Sequence, residues 1–498
     1  ASKLLVTEVF VEERIAGPQP TLYADLLCTV DGLKAFHARR VALELVPDWP
    51  AEDPSFQVDA SVGWNPGPRP GFHRPAMATD GGIPAMGRGS TLRAPVVDGF
   101  AFDAGALLAS ALGRPSAAFG PMYARFDGTT RVPRLPSPPY FFISRIARVD
   151  GPIGRMQAGA RVVAEYDVPD DAWYFRDNGA PVMPYAVLLE VVLQPCGWLA
   201  SYVGSALTSD SELGFRNLDG EGVVLAEVGP GCGTLVTEVT LTRVSASGGM
   251  IIQGFDVRCH LAGREVYRLS TVFGFFPPEA LAARAGLPDD AVMRGVLEGG
   301  ARGTGDGARE ELGSCSDRSE SARGGTQPAR EQASSSHAPC PVPRAPLLPQ
   351  AMLRLIDPQP RIDPGAGAAG LGQVLAQRQV DPGEWYFKAH FFQDPVQPGS
   401  LGLEALLQAL ACFLRDWNAH GDIAQPRFQS IATGLSHRWK YRGQVLPHHR
   451  LVHATLDITE RGRDEHGVYA IARGSLWVDG QRIYEAQGLG VRIVPGAA

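Results

Sequence analysis

The chain has 498 residues, of which 44% are hydrophobic and 20% are charged, an ordinary composition for a folded globular protein. At this length we expect two to four domains with ample hydrophobic core. The net charge of −7 and the pI near 5.9 give no support for a nucleic-acid partner.

The seven cysteines are widely scattered, with no CxxC pair and no spacing typical of a metal site. An odd, dispersed set favours a reducing compartment over a disulfide framework. No apolar run approaches the length of a membrane span, and the first residues lack the pattern of a signal peptide. We therefore expect a cytoplasmic protein without a membrane span or a bound metal. The start at Ala1, without Met, indicates a piece of a longer protein.

Residues 1–48 contain β-type runs interrupted by Val30-Asp31-Gly32, a hairpin-turn signal. The same order of strand, tight turn, polar residue and aromatic residue recurs at 262–267 and at 478–484. Three copies of one closing hairpin indicate repeated domains. In this sequence no domain core precedes the first copy of the hairpin. We therefore interpret 1–48 as the tail of a preceding domain. The Pro-, Gly- and Asp-rich residues 49–97 are interpreted as an irregular connector.

Residues 98–285 form the first of two similar segments, in which 101–112 has helical spacing and 140–146 is a β-type run. The second segment is 347–498. Each contains Trp-Tyr-Phe, a Pro-Val pair and an apolar helix, followed by alternating strands. Each helix also carries a glutamate followed by a glutamine one turn later, the pairs being Glu190 with Gln194 and Glu404 with Gln408. One helix followed by antiparallel strands, twice, is an α+β layout.

Between the two segments, residues 286–346 are treated as a low-complexity linker. From 298 onward this stretch is crowded with Gly, Ser, Ala, Arg, Glu and Pro. It lacks the apolar content needed to bury a core, so it is predicted to be disordered.

The stretch 385–408 joins an aromatic run, His390, a Pro/Gly turn and an apolar helix. Pro398 and Gly399 lie where a helix would begin, and free N–H groups at a helix start can hold a developing oxyanion. A histidine is suited to act as a base near neutral pH. The helix of this stretch carries one carboxyl group, that of Glu404. Burial among apolar residues raises the pKa of a carboxyl group and keeps it protonated, as a general acid must be. The pattern indicates an acid–base active site.

The residues from His390 to Glu404 read His-Phe-x-x-Asp-Pro-Val-x-Pro-Gly-x-Leu-Gly-Leu-(acid). This run resembles the active-site segment of the bacterial β-hydroxydecanoyl-ACP dehydratase/isomerases, which have the hotdog fold. That family usually has Asp where this chain has Glu404. The segments 132–140, 183–185 and 193–197 also resemble the paired dehydratase region of polyunsaturated fatty acid synthases.

The resemblance implies that each segment is a hotdog, a long central helix wrapped by an antiparallel sheet, and that the pair is a tandem (double) hotdog. Residues 1–48 would then be the C-terminal hairpin of a preceding hotdog-like domain. In this family the histidine of one unit and the helix acid of the other unit share a site. The first segment has Arg176-Asp177-Asn178 where the second has His390, and no histidine nearby.

The resemblance therefore implies one complete site, with His390 as base, Glu190 as acid and Gly399 as oxyanion donor. Glu404 would belong to a degenerate site, either as a vestigial acid or as a working one. Each of the two residues also has a structural interpretation. His390 would be a histidine that only makes hydrogen bonds, and Glu190 would be one partner of an ion pair. The residues expected to contact substrate are Gln194, Phe391, Pro398 and Gln408.

The implied reaction removes water from a 3-hydroxyacyl thioester to give a trans-2-enoyl product, with double-bond isomerisation left open. The resemblance also implies that the substrate is carried on the phosphopantetheine arm of acyl carrier protein and that no cofactor is bound. The candidate partners are acyl carrier protein, neighbouring synthase domains and a second copy of the chain. Two other classes stay open: a hotdog acyl-ACP thioesterase and a non-catalytic interaction domain.

Overall fold

The structure is a computed structural model, and it describes residues 5–15, 21–30, 33–44, 94–128, 131–209, 212–302 and 346–496. Most of the predicted connector, up to residue 93, and the part of the predicted linker between 303 and 345 lie outside the described residues. Within the described ranges, no helix is both long enough and apolar enough to cross a membrane.

The N-terminal strands form a sheet of their own. Strands β1 (Leu5–Ile15), β2 (Thr21–Val30) and β3 (Leu33–Glu44) pair antiparallel in the order β1-β2-β3. The pairing of β2 with β3 is the one that the hairpin signal at residues 30–32 predicts. The assignment of this sheet to a preceding domain stays a prediction.

The first unit contains one long helix, α4, and six strands of the large sheet, β6 to β11. Its elements are β4 (Val96–Val97), β5 (Phe100–Ala101), α1 (Ala104–Ala109), α2 (Pro115–Phe119), β6 (Arg145–Asp150), β7 (Arg161–Val168), α3 (Trp173–Asp177), α4 (Tyr185–Tyr202), β8 (Gly214–Val224), β9 (Gly233–Ser247), β10 (Met250–Leu261), β11 (Arg264–Phe276), α5 (Pro278–Ala282) and α6 (Ala291–Arg302), with 3-10 turns at Pro121–Phe126 and Ser205–Thr208.

The second unit repeats this plan around the long helix α8. Its elements are a 3-10 turn at Ala351–Leu353, β12 (Arg361–Asp363), β13 (Gln373–Gln379), α7 (Trp385–Ala389), α8 (Gly399–Asp416), β14 (Pro426–Phe428), β15 (Ser436–Tyr441), β16 (Leu451–Asp464), β17 (Gly467–Val478) and β18 (Gln481–Pro495).

The two units share one antiparallel sheet of 13 strands. Its order is β12-β13-β16-β17-β18-β15-β8-β11-β10-β9-β7-β6, with β14 paired to β18. The units meet where β15 pairs with β8, with Trp439 opposite Gly220 and His437 opposite Gly222. Outward from this pair, corresponding strands follow in the same order on both sides. The two units are thus related by an approximate two-fold axis, and the predicted tandem hotdog is confirmed.

Each long helix is buried by the sheet that wraps it. All residues of α4 are buried, and α8 is buried from Ser400 to Leu414. Helices that are apolar on nearly all sides are expected inside a wrapped core rather than at a surface. The strands alternate between covered and uncovered positions, as β7 does along its length.

The two hairpins predicted at 262–267 and 478–484 close with the tight turns that their sequences predict. Ala262 and Gly263 have φ angles of 49° and 78°, and Asp479 and Gly480 have φ angles of 47° and 85°. Two successive positive φ angles define the type I′ turn that suits a two-residue hairpin.

The predicted strand at 140–146 is wrong for five of its seven residues, since β6 begins only at Arg145. The backbone at Tyr140 and Phe142 is paired to a side chain instead of a neighbouring strand. The N–H of Phe142 donates to Oε1 of Gln194 at 2.8 Å, and Nε2 of Gln194 donates to the carbonyl of Tyr140 at 2.9 Å. The helix predicted at 101–112 is also shorter, because Asp103 caps it and it ends at Ala109.

Helix α6 lies within the segment predicted as linker, 286–346, and packs on the second unit. Met293 and Val296 are buried there, and Arg473 pairs with Asp290 at 3.2 Å. This stretch therefore begins with a helix held by apolar contacts and an ion pair. The remaining domain boundaries stay predictions.

Candidate active site

His390 follows the short helix α7 and is its C-terminal cap. Its Nδ1 lies 3.0 Å from the carbonyl oxygen of Val396, so Nδ1–H donates there and Nε2 is left as an acceptor. The side chain is 8% exposed. Burial lowers the pKa of His390 to about 3, and the hydrogen bond to Val396 opposes this shift only in part. The ring is therefore neutral at neutral pH, the form that a general base requires.

The loop after His390 is held by an ion pair that joins the two units. Arg216 on β8 donates to both carboxylate oxygens of Asp394, at 2.7 and 2.8 Å. Burial pushes the pKa of Asp394 upward, but the charge and hydrogen bonds of Arg216 outweigh it and the net shift is downward. A bidentate pair of this kind fixes orientation as well as distance. The position of His390 relative to the first unit is thus tied to Arg216.

We expect Asp394→Asn to destabilise the fold by about 3 kcal/mol, because Arg216 would keep its charge in a largely buried place without a carboxylate partner. The measurement is urea unfolding followed by circular dichroism. The matched control is Asp422→Asn, which removes a carboxylate from the exposed pair with Arg463 and should change stability little. If the two substitutions lowered the free energy of unfolding equally, the ion pair of Arg216 with Asp394 would contribute no more to stability than an exposed pair.

Glu190 lies on α4 and is 6% exposed. Its Oε1 accepts a hydrogen bond from Oγ of Ser400 at 2.7 Å, and its Oε2 accepts one from Nε2 of Gln194 at 3.1 Å. Burial raises the pKa of Glu190 to about 7, and the two hydrogen bonds lower it by less. A carboxyl group with this pKa is partly protonated at neutral pH and can deliver a proton.

Gly399 is the first residue of α8, where a backbone N–H has no acceptor within its own helix. A Cβ atom at this position would lie 2.6 Å from the ring of Tyr441. The hydroxyl of Tyr441 donates to the carbonyl of Gly399 at 3.1 Å. The packing of Tyr441 therefore requires glycine at the helix start, and it keeps that backbone open to the cavity beside it.

One cavity of about 80 Å³ is lined by His390, Glu190 and Gly399 together. Gln194 and Phe391 also line it. The histidine of the second unit and the helix acid of the first unit thus share one pocket, which is the crossed arrangement expected from the sequence.

Pro398 does not belong to the residues that line this cavity in the described part of the chain. It caps α8, and its carbonyl accepts the N–H groups of Leu401 and Gly402. Its predicted contact with substrate has no geometric support here.

A second, smaller cavity of about 30 Å³ lies at the corresponding place in the other half and is lined by Asn178, Glu404 and Gln408. Nδ2 of Asn178 donates to the carbonyl of Val182 at 2.8 Å, as the ring of His390 does to its own loop. Burial raises the pKa of Glu404 to about 7, as it does for its counterpart on α4. Where α8 begins with a glycine, α4 begins with Tyr185. This pocket keeps the acid and has neither the imidazole nor the glycine among its described residues.

The two predicted substrate-binding glutamines each hold a backbone segment. Gln408 accepts from the N–H of Leu355 at 3.0 Å and donates to the carbonyl of Leu353 at 2.7 Å, the same pattern that Gln194 makes with residues 140 and 142. Each glutamine also donates to the glutamate one turn before it. Their observed contacts orient those carboxyl groups, and of the pair Gln194 faces the larger pocket.

Sequence reasoning assigned no role to Ser400, Tyr140 or Arg216. Ser400 lies between Glu190 and Tyr140, whose hydroxyl is 2.9 Å from Oγ of Ser400. A comparison of the repeats carries a signal for Ser400, because the first repeat has Ala186 at that place. Arg216 carried no such signal, since its partner lies far away in the chain.

No group of three or more His, Cys, Asp or Glu side chains is placed to hold a metal ion in the part of the chain that the structure describes.

Two long buried helices and one shared antiparallel sheet define a hotdog protein, and its larger pocket is lined by a histidine and an acid from opposite units. The family model for the FabA-like domain matches residues 135–270 and 348–487, which is more than half of the chain. The chain belongs to the FabA-like domain family.

Among curated proteins, one subunit of the polyunsaturated fatty acid synthase of Thraustochytrium sp. (strain ATCC 26185 / S-3) is 29% identical over 403 residues, covering 77% of this chain and 25% of the relative. The chain thus spans about a quarter of that relative's length.

Among solved structures, the dehydratase domain from the CurJ module of curacin polyketide synthase matches with 12% identity and a TM-score of 0.33, covering 70% of this chain and 96% of that one. A putative oleoyl thioesterase from Lactobacillus plantarum matches with 9% identity and a TM-score of 0.34, covering 68% and 98%. At these TM-scores neither likeness bears on the activity of this chain.

Proposed function

We propose that this chain is a 3-hydroxyacyl-ACP dehydratase unit of a synthase that makes polyunsaturated fatty acids, removing water to give a trans-2-enoyl thioester. The observation that supports it best is the shared pocket of His390 and Glu190. A neutral imidazole and a carboxyl group of raised pKa, supplied by different units, are the two groups that this elimination needs.

In the proposed reaction, Nε2 of His390 takes the proton from the α-carbon. Negative charge then develops on the thioester oxygen, which accepts a hydrogen bond from the N–H of Gly399. Glu190 gives its proton to the hydroxyl on the β-carbon, so the C–O bond breaks, water leaves and the C=C bond forms. Each proton transfer by a positioned group contributes roughly 10²–10⁴ in rate.

The proposed partner is acyl carrier protein, whose phosphopantetheine arm brings the substrate, and no cofactor is proposed. Three arginines line the pocket: Arg134, Arg216 and Arg284. Nη2 of Arg284 is buried and has no hydrogen-bond partner among the described residues. Arg216 is paired with Asp394, so Arg134 and Arg284 are the two cationic side chains proposed to face a substrate arm that carries a phosphodiester. Neighbouring synthase domains are also proposed, because this chain covers only 25% of the related synthase subunit from Thraustochytrium.

The test is incubation with a set of 3-hydroxyacyl-ACPs, followed by mass spectrometry of the carrier. Loss of water from the carrier-bound acyl group supports the dehydratase, and NMR of the released product separates a trans-2 from an isomerised double bond. Release of free 3-hydroxy acid would identify a thioesterase instead. If none of the 3-hydroxyacyl-ACPs changes in mass, the remaining interpretation is a non-catalytic interaction domain.

The pH dependence follows from the two pKa values. Glu190 must be protonated to act as acid, so activity is present below its pKa of about 7 and is lost as pH rises through it. His390 must be neutral, and its pKa of about 3 keeps it so over the accessible range. We expect kcat/KM to be level between roughly pH 5 and 6 and to fall about tenfold per unit well above pH 7. A profile that instead rises between pH 5 and 7 would mean that the imidazole titrates there.

A further inference from the structure

The hydroxyl of Ser400 lies between the proposed acid and a buried tyrosine. Oγ of Ser400 is 2.7 Å from Oε1 of Glu190 and 2.9 Å from the hydroxyl oxygen of Tyr140. The hydroxyl of Tyr140 in turn lies 3.5 Å from the carbonyl oxygen of Ala186. Ser400 and Tyr140 are 1% and 0% exposed, and Ser400 lines the larger pocket. This hydroxyl pair, Ser400 and Tyr140, thus leads from the carboxyl group of Glu190 into the core.

The two carboxyl oxygens of Glu190 have partners of different kinds. Oε2 accepts from Nε2 of Gln194. That amide is fixed in orientation, because its Oε1 accepts the N–H of Phe142 and its Nε2 also donates to the carbonyl of Tyr140. Gln194 therefore only donates to the acid. A serine hydroxyl can both donate and accept, and its hydrogen rotates to suit. Oε1 is therefore the oxygen of Glu190 whose partner, Ser400, can accept a proton.

Glu404 has a different set of partners. Its Oε2 accepts from the backbone N–H of Ala186 at 3.2 Å, and its Oε1 accepts from Nε2 of Gln408 at 3.4 Å. Both of these described partners donate, and a donor favours the ionised form of a carboxyl group. Ser400 has in α8 the place that Ala186 has in α4. The helix start beside Glu190 thus carries a hydroxyl where the helix start beside Glu404 carries a methyl group.

A buried acid needs a hydrogen-bond partner in both of its protonation states, because an unpaired buried polar group is destabilising. When Glu190 is protonated and the pocket is empty, its O–H donates to Ser400 and Ser400 donates to Tyr140. The hydroxyl of Tyr140 then has the carbonyl of Ala186 as its acceptor. When Glu190 is ionised the direction reverses, so that Tyr140 donates to Ser400 and Ser400 donates to Oε1. The hydroxyl pair thus serves both states while each oxygen atom keeps its place.

We propose that Ser400 is a positioning residue for the acid step, supported by Tyr140, and that its hydroxyl holds Glu190 in place both before and after the proton is given up. The expected effect on rate rests on the proposed function. In that reaction the proton leaves Glu190 for the oxygen of the β-hydroxyl group, the C–O bond breaks, and its electron pair leaves with the water. Ser400 then donates to the carboxylate. This hydrogen bond is stronger to the forming carboxylate than to the neutral acid, so it stabilises the transition state more than the ground state.

The test is Ser400→Ala, which gives α8 the residue that α4 has at the same place. We expect kcat/KM below pH 6 to fall roughly tenfold, the effect of losing one hydrogen bond to a charged group. The hydrogen bond from Ser400 lowers the pKa of Glu190, so its loss should move the falling limb of the pH profile to higher pH, by roughly one pH unit. The other titratable groups around Glu190 are unchanged in this variant: Tyr140 and, lining the same pocket, Arg134, Arg216, Arg284, His390, Tyr441 and Tyr484.

The matched control is Ser205→Ala, which removes another buried hydroxyl. Ser205 is 0% exposed, donates to the carbonyl of Ala200 at 2.7 Å and accepts from Nε2 of Gln253 at 2.8 Å. Because Ser205 does not line the larger pocket, its loss should leave both kcat/KM and the falling limb unchanged. If Ser400→Ala lowered kcat/KM with the limb where the wild type has it, the serine would be purely structural and the inference would fail.

Tyr140→Phe removes the second hydroxyl and keeps the ring. Because Tyr140 acts on the acid through Ser400, we expect kcat/KM to fall about threefold, the effect of one neutral hydrogen bond. The limb should move in the same direction as in Ser400→Ala, and by less. A larger shift in Tyr140→Phe than in Ser400→Ala would contradict the order of the hydroxyl pair.

Infrared spectroscopy separates this inference from the proposed function, because it observes Glu190 without turnover. A pH-difference spectrum contains the carbonyl stretch of each protonated carboxyl group that titrates, and Glu190→Gln identifies the band of Glu190. In Ser400→Ala that band should titrate at higher pH and change frequency, because the acid has lost its hydroxyl partner. This result supports the inference even if the wild-type protein dehydrates nothing. A band that titrates as in the wild type would refute it even if dehydration is observed.

Discussion

His390→Asn is expected to lower kcat for dehydration by roughly 10²–10⁴, the contribution of a positioned general base. The substitution gives the second unit the residue that the first unit carries, Asn178. An asparagine amide can still donate to the carbonyl of Val396, as Asn178 does to the carbonyl of Val182 at 2.8 Å, so the loop keeps its hydrogen bond. What disappears is the Nε2 lone pair of a residue that lines the pocket. The measurement is the steady-state rate of enoyl thioester formation.

The control for this substitution is Asn178→His, which places an imidazole in the smaller pocket. It should leave the total rate unchanged, because Tyr185 stands where the complete site has Gly399. Thermal unfolding of both variants should match that of the wild type. A dehydration rate in His390→Asn equal to that of the wild type would remove the imidazole from the mechanism altogether.

The difference between the two pockets arises on a common backbone. Corresponding strands surround both, both long helices carry a buried glutamate with a raised pKa, and both glutamates are held by a glutamine one turn later. The differences between them include His390 against Asn178, Gly399 against Tyr185 and Ser400 against Ala186. The two pockets therefore differ in their side chains on the same fold, since each glutamate accepts a hydrogen bond from the first turn of the opposite helix.

Much of this architecture could be predicted from the repeat. Because residue types recur in the same order around the two helices, the repeat indicated two equivalent units, and the family resemblance indicated that they share a site. The hairpin turns at 262–263 and 479–480 were also predictable. An Asp-Gly pair accepts two successive positive φ angles, and the turn at 262–263 repeats the same pattern with Gly263 in its second position. Each of these features could be predicted because its signal lies in neighbouring residues or recurs in both units.

Other features depend on contacts between distant residues and carried no local signal. The aromatic run at 140–143 has β-type composition, yet Gln194 captures its backbone, so its sheet partner is replaced by an amide side chain. Helix α6 was obscured by the polar composition that follows it, although Met293 and Val296 give it an apolar face. The pair of Arg216 with Asp394 joins two segments far apart in the chain. Tertiary contact overrides composition in all three cases.

The second large effect is expected from Glu190→Gln, and Glu404→Gln is its control. The two carboxyl groups are matched in burial, with exposed fractions of 6% and 4%, and both have a pKa raised to about 7. Replacing either by a glutamine removes the acidic proton and keeps the size of the side chain. We expect kcat to fall by roughly 10²–10⁴ for Glu190→Gln, because a positioned acid contributes that much to protonation of the departing hydroxyl. Among the described residues that line the larger pocket, Glu190 carries the one carboxyl group.

Glu404→Gln should leave kcat close to that of the wild type, because its pocket contains Asn178 and no base among the residues that the structure describes. Both variants should unfold at similar urea concentrations, since each loses the same kind of buried carboxyl. The measurement is kcat for loss of water from one 3-hydroxyacyl-ACP under identical conditions for both proteins. If Glu404→Gln were the more damaging change, the histidine of the second unit would be working with the acid of its own helix, and the crossed site would have to be abandoned.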